Sequence, residues 1–393
     1  MSLRRSPRFI FLLVLVTLLG PLAMQMFLPA LPAIQREFAT DASTAQLTLT
    51  VSMIAMGVST LVFGPLSDRF GRKPVLLLCL AMFSVGSLAS ALAPSVALLI
   101  LARIVQSGGA SAGIVLARAM TRDVYGFKES IRGISYLTMV MIIAPAVSPA
   151  IGGVVIDNFG WRTIFWSLMA LAGAALVGVA LWLPETHGPG AQAGWRDLAE
   201  GSRRLLTNRR YLGYTLILTC TFAVFFAFLA AAPYLTAEVL HKPARDYGFW
   251  FMPVAGIFLV STFIATRLLD RYGADRMIRA GVFVQAVVLA ASLPFYYWLP
   301  LDAPLLFVPM IVISFVQGFI IPNSQASAIN VDPRYAGAGS GLAGFIPMVF
   351  SAAVAQAVAV FADGTVWPML GLMALATACG IACLGLIRAP KAA

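Results

Sequence analysis

The chain has 393 residues, of which 60% are apolar and only 11% charged, with a mean hydropathy of +0.89. Soluble domains carry roughly 25% charged residues, so this composition excludes an ordinary soluble protein and points to a bilayer. A net charge of +11 raises nucleic acid as a partner, but the distribution of the charge excludes it.

A spanning helix takes about 20 mostly apolar residues. Twelve such runs occur, at 9–31, 45–66, 74–93, 96–118, 132–156, 161–183, 211–236, 247–268, 278–298, 304–326, 337–361 and 365–387. Runs of helical length, without alternating segments of about ten residues, argue against an outer-membrane barrel. The opening MSLRRSPRF resembles a secretory signal, but its apolar run continues to Leu31 and no A-x-A site follows. It therefore reads as the first span, entering from the cytoplasm. With alternate loops assigned to the cytoplasm, those loops and the termini hold 22 of the 27 Lys and Arg, and the opposite loops hold four. This positive-inside asymmetry places both termini in the cytoplasm. The basicity is topological, and no nucleic-acid partner is expected.

The first span ends in FLPALPAIQREF, residues 27–38, just after Gln25. The second is followed by Gly64-Pro-Leu-Ser-Asp68-Arg69-Phe-Gly71-Arg72-Lys73-Pro74. Gly71 permits a tight turn, and Pro74 sits where a helix start has no use for its N–H. Arg72 and Lys73 anchor the loop inside, but topology leaves Asp68 unexplained. The fourth span contains LLILARIVQSGGASAG, residues 98–113, with the one intramembrane Arg, Arg103. A guanidinium at the bilayer centre costs about 2.5–3.5 kcal/mol on insertion scales and usually marks a pathway. On a helix it shares a stripe with Gln106 and Ser107, flanked by small residues suited to close packing. That stripe is expected to face a central cavity.

In the fifth span, Pro145 and Pro149 predict a kink, and Gly152 and Gly153 predict close helix approach. Residues 184–211 form the longest polar stretch and divide the chain into a six-helix half at 1–190, a cytoplasmic linker at 191–210 and a second half at 211–393. Internal repetition supports this: Asp68, Arg69 and Gly71 recur as Asp270, Arg271 and Gly273, and Pro32 and Glu37 as Pro233 and Glu238. Two repeated halves with a site at their interface is a transporter architecture. Further cavity candidates are Phe222 and Phe226 in the seventh span and the apolar-run glutamines Gln317 and Gln325.

The GPLSDRFGRKP loop resembles that of the major facilitator superfamily, and specifically of twelve-span drug/proton antiporters of the bicyclomycin and chloramphenicol exporter type. LARIVQSGGA is similar to the family's fourth-span R-x-x-Q-G-x-G, with Ser107 at the first Gly, and APAVSPAIGG to its fifth-span motif, with Ser148 at the first Gly. The resemblance implies an all-α membrane protein of two six-helix halves, located in the bacterial inner membrane and surrounded by lipid. It implies a monomer that exports small amphipathic molecules such as antibiotics by alternating access, driven by the proton gradient with no cofactor. Gly64, Asp68, Arg69, Gly71, Arg72 and Lys73, with Asp123 at the end of the fourth span, would form a conformational gate. Arg103, Gln106 and Gln25 would serve proton coupling or line the cavity. Many relatives carry an acid near Gln25, and all sixteen acids of this chain lie in loops or at span ends. Glu37, Asp41 and Asp123 remain as proton carriers. A mid-membrane cation without an acidic partner disfavours cationic substrates and favours neutral, zwitterionic or anionic ones. The missing acid keeps a metabolite symporter or facilitator as the alternative. A membrane enzyme or receptor is disfavoured: His187 and His241 lie in loops on opposite sides, and no paired mid-membrane acids or G-x-x-x-x-G-K-[ST] occur.

Overall fold

The computed structural model describes residues 7–186 and 195–387, which are helical throughout apart from turns and short connections. In chain order the helices are α1 (Pro7–Gln25), α2 (Leu31–Glu37), α3 (Ala42–Phe70), α4 (Arg72–Ala91), α5 (Val96–Phe159), α6 (Arg162–Trp182) and α7 (Trp195–Thr207). They continue as α8 (Arg209–Tyr234), α9 (Ala244–Tyr272), α10 (Ala274–Trp298), α11 (Ala303–Ile329), α12 (Ala336–Val360) and α13 (Trp367–Cys383). Among the described residues, ten helices are long and apolar enough to cross a membrane. Two shorter apolar helices, Ile143–Phe159 and Trp367–Cys383, occupy the places of the fifth and twelfth expected runs.

The boundaries follow local chemistry. Asp41 accepts the Thr44 N–H at 2.6 Å to cap α3, and Asp302 accepts the Leu305 N–H at 2.7 Å to cap α11. The expected first run is broken. α1 stops at Gln25, a 3-10 turn covers Leu28–Ala30, and α2 continues from Leu31. Pro29 and Pro32 supply no N–H to an α ladder, which accounts for the interruption. At the corresponding place in the second repeat, Pro233 is followed by a widened turn at Leu235–Val239.

α5 differs most from the sequence expectation. The backbone is helical from Val96 to Phe159 on either side of a bend, where a loop was expected near residues 119–131. A straight helix would separate Gly113 from Gly152 by about 58 Å at 1.5 Å per residue. Yet Gly113 packs on Val16 and Gly152 on Met26, and the Arg118 guanidinium lies 3.4 Å from the Met141 sulfur. The chain therefore reverses between Arg118 and Met141 and returns antiparallel within the same bundle.

The chain divides into two compact units, Met1–Gly194 and Trp195–Ala393. The first is built around Phe9, Leu13, Leu76, Phe83 and Leu168; the second around Tyr211, Ile217, Ile278 and Ile320. The segment read as a linker is helical at Trp195–Thr207, and its Leu205 joins the second core. Large apolar side chains also cover the outside, with Leu181 68% and Trp298 77% exposed. A soluble monomer does not tolerate such coverage, whereas lipid does. Since lipid is as apolar as the core, helices associate through close packing rather than water exclusion. In the first unit α4 and α5 approach until backbones touch. A Cβ on Gly109 would lie 2.3 Å from the Cys79 carbonyl oxygen, and one on Gly86 would lie 2.4 Å from the Gln106 nitrogen.

Gly109→Ala should therefore lower the melting temperature of the purified protein in detergent, a loss of about 1–3 kcal/mol from overpacking. Gly173→Ala, where nothing lies within 4 Å of the new methyl, should leave it unchanged or slightly higher.

Candidate functional site

Arg103 has no exposed surface. Its Nη1 donates to Gln106 Oε1 at 2.6 Å and to the Ala23 carbonyl at 3.3 Å. Gln106 Nε2 donates to Ser87 Oγ at 2.8 Å, and Ser87 Oγ in turn donates to the Phe83 carbonyl. The guanidinium lies 4.3 Å from the centre of the Phe27 ring and 5.8 Å from that of Phe165. These contacts join α1, α4, α5, α6 and the turn after α1. Cation–π contact contributes about 0.5–2 kcal/mol when desolvated. Nε and Nη2 of Arg103 find no partner among the described residues, nor does Oε1 of Gln25. Each unpaired buried donor costs about 1–3 kcal/mol. The polar stripe predicted on α5 exists, but instead of lining an open hollow it is sealed inside the first unit. Aromatic rings and the close packing of α4 on α5 account for the seal.

From Arg103 an aromatic ladder runs to an ion pair at the far end of α2. Phe27 and Phe165 are 5.6 Å apart and Phe165 and Trp161 5.9 Å. Trp161 Nε1 donates to Glu37 Oε2 at 2.5 Å, and Arg162 pairs with the same carboxylate. Arg162 also donates to the Ala93 carbonyl at 2.9 Å, so Arg162 ties three helix ends together. Asp41 is one of the sequence's proton-carrier candidates. The Thr44 N–H, with the Thr44 hydroxyl second, holds its carboxyl below the usual aspartate range, so it stays charged at neutral pH.

At the other end of the first unit, Arg72 gathers three partners. Nη2 pairs with Asp68 Oδ1 at 2.6 Å, Nε with Asp123 Oδ2 at 3.2 Å, and Nη1 donates to Ser67 Oγ at 2.5 Å. Ser67 Oγ in turn donates to the Gly64 carbonyl at 2.7 Å. Arg72 is buried while Asp68 and Asp123 keep about a quarter of their side chains accessible (24% and 21%). Arg69 points away, over the Phe70 ring at 5.3 Å.

Glu185 completes this cluster, and the sequence reading gave it no role beyond a place in the polar stretch 184–211. Its Oε1 accepts the Arg72 N–H at 3.0 Å and its Oε2 the Lys73 N–H at 3.1 Å. A carboxylate is thus set against the amino terminus of α4, where unpaired N–H groups and the helix dipole favour an anion. Gly71, at φ +98°, ends α3 and begins α4; a Cβ there would lie 2.7 Å from Glu185 Oε2. Lys73 Nζ donates to the Ala180 carbonyl at 2.9 Å, fastening the same two helix ends.

In α5, Pro149, Gly152 and Gly153 are buried and Pro145 is half-buried. A Cβ on Gly152 would meet the Met26 carbonyl oxygen at 2.4 Å, so the position is a backbone contact with the break after α1. In the second unit, Phe222 is half-buried and Phe226 buried, with centroids 6.2 Å apart. Gln317 is buried; its Nε2 donates to the Thr221 carbonyl at 3.3 Å and lies 3.4 Å from Gln285 Oε1, while Gln285 Nε2 reaches Thr377 Oγ1 at 3.2 Å. Gln325 departs from the expectation of a buried glutamine: it is exposed, near the end of α11. Ser314 stands three residues before Gln317, as Arg103 stands three before Gln106. The shared Val-Gln at 105–106 and 316–317 was the signal that could have located Gln317's network.

Residues 13–355 match the family described as the Major Facilitator Superfamily. This chain belongs to the major facilitator superfamily. It is 29% identical over 385 residues to the bicyclomycin resistance protein homolog of Haemophilus influenzae, covering 94% of each chain. It is 34% identical over 281 residues to a chloramphenicol resistance protein of Pseudomonas aeruginosa, covering 70% of this chain and 66% of that one. In fold it resembles a bacterial homolog of the human lysosomal transporter Spinster, with a TM-score of 0.74 at 13% identity, covering 97% and 95% of the two chains. The protein is a transporter rather than an enzyme, and a multi-pass protein of the inner membrane.

Glu185→Ala removes both acceptors from the α4 terminus and should lower stability by about 1–2 kcal/mol, the cost of losing a helix cap. Glu185→Gln keeps one acceptor and should lose less; thermal melting in detergent distinguishes them. For Asp41, whose folded carboxyl titrates below its unfolded value, the cap's stability is present above the ordinary aspartate range. It is lost as pH falls through the depressed value. Melting temperature against pH should therefore flatten in that window in Asp41→Asn.

Proposed function

We propose that the chain is a twelve-span, monomeric exporter with both termini in the cytoplasm. It works by drug/proton antiport and alternating access between the halves 1–190 and 211–393, joined by 191–210. One observation carries the substrate preference: Arg103 is wholly buried, its Nε and Nη2 have no partner among the described residues, and no acid lies in the interior of any span. A cationic compound brought beside it meets repulsion in low dielectric, while neutral, zwitterionic and anionic amphipathic compounds do not. The names of the relatives, bicyclomycin and chloramphenicol resistance proteins, support antibiotic-type substrates.

Asp68, Arg72 and Asp123, with Gly64, Arg69, Gly71 and Lys73, act as the gate. The ion pairs give one conformation a differential stability that proton or substrate binding works against. Pro145, Pro149, Gly152 and Gly153 give α5 the bend and the close contact on which that movement turns. Arg103, Gln106 and Gln25 couple transport to protons; Phe222, Phe226, Gln317 and Gln325 contribute from the second half. A proton-coupled symporter or facilitator for a small metabolite is the second reading, favoured by Gln25 standing where many relatives carry an acid.

Proteoliposomes with an imposed pH gradient test this. A neutral or anionic drug should be moved against its gradient only when protons flow the other way. Asp68→Asn should cut turnover about tenfold, a barrier change of about 1.4 kcal/mol, with drug affinity unchanged. Arg103→Ala should lose gradient-dependent transport. Gradient-driven accumulation in the direction of the protons would establish the symporter instead.

A further inference from the structure

We propose that Arg103 is the docking point for the carboxylate of an aryl carboxylate substrate, which seats edge-on across Nε and Nη2. The word substrate rests on the exporter reading above; the site itself rests on geometry. A guanidinium offers two faces and five N–H donors. Phe27, centred 4.3 Å away, covers one face, with Phe165 beside it at 5.8 Å. Nη1 is used by Gln106 and the Ala23 carbonyl. What remains is the edge formed by Nε–H and the adjacent N–H of Nη2, and these two nitrogens have no partner among the described residues. Two parallel donors on one rigid plane match the two oxygens of a carboxylate.

The chain offers no carboxylate at that depth, because all of its sixteen acids lie in loops or at span ends. The countercharge must come from outside. The flanking Phe27 and Phe165 rings favour a flat aromatic body on the incoming acid, through offset or edge contacts. The second half repeats the Val-Gln step but carries Ser314 in place of the arginine, so each protein takes one such anion. Nε and Nη2 are sealed from solvent, so binding goes with loosening of the packing around Arg103, and the bound state differs from the sealed one there.

Calorimetry and thermal shift on the purified full-length chain, in chloride-free detergent buffer, compare naphthalene-2-carboxylate with 2-naphthamide. These probes share one shape and differ in the anionic group. The acid should bind at least about tenfold more tightly than the amide. Arg103→Lys keeps the charge but lacks the paired donors, and should lose about tenfold in affinity for the acid while leaving the amide unchanged. Equal binding of acid and amide by the wild type overturns the proposal, and this arm needs no variant to fold. Wild-type affinity for the acid in a folded Arg103→Lys protein also overturns it. So does chloride alone stabilising the wild type as strongly as the acid, since the site would then take any small anion. If proteoliposomes pump nothing while acid and amide are still distinguished, the exporter reading fails and the site stands; active pumping with no discrimination does the reverse.

Discussion

A guanidinium enclosed by helices without a matching acid is the constraint around which the first unit is organised. It is tolerable because the helices bring neutral oxygens and ring faces to it: the Ala23 carbonyl from α1, Gln106 one turn away, Ser87 behind Gln106, and Phe27 across one face. Those neighbours meet only because α4 and α5 close to backbone contact at Gly86 and Gly109. Packing and electrostatics are therefore one problem here. A bulkier seam would separate Ser87 from Gln106 and leave the arginine more exposed to its own desolvation cost.

The Arg72 end of the first unit solves the opposite problem. Arg72 is surrounded by carboxylates, with Asp68 and Asp123 on its side chain and Glu185 on its backbone N–H. The pairs there keep partial access to solvent, so they contribute modestly to stability and are easily exchanged. Such pairs separate at low cost, whereas the surroundings of Arg103 are closed to solvent. In the second unit a buried ladder is made of amides and a hydroxyl, through Gln317, Gln285 and Thr377. Its polar ladder carries no charge, so it specifies helix pairing without the desolvation cost met around Arg103.

Much of this was legible in the sequence because bilayer thickness and charge placement are read residue by residue. The apolar runs, the singularity of Arg103 and its helical alignment with Gln106 all follow from spacing. So does the pairing of chain repeats through Asp68 and Asp270. What spacing cannot show is contact between residues distant in the chain. Glu185 sits in a Pro-Glu-Thr stretch whose composition reads as connector, yet it caps a helix 113 positions earlier. Phe27 looked like one more aromatic residue at a span end. The break after α1 was written in Pro29 and Pro32 but was absorbed into a hydropathy window. The stripe bearing Arg103 was identified, while its enclosure depends on ring positions in α6 that no periodicity encodes.

The bond between Glu185 and the start of α4 has a consequence for how the protein is made. Helices α4 to α6 are strung between two residues that clasp each other, so the loop closes only when residue 185 has left the ribosome. Until then Arg72 and Lys73 present bare amides at the membrane surface, and α4 has an unfinished end. The first half thus completes its own fold as the second begins to emerge, and a nascent chain cut just short of Glu185 would carry every helix of that half without its fastening.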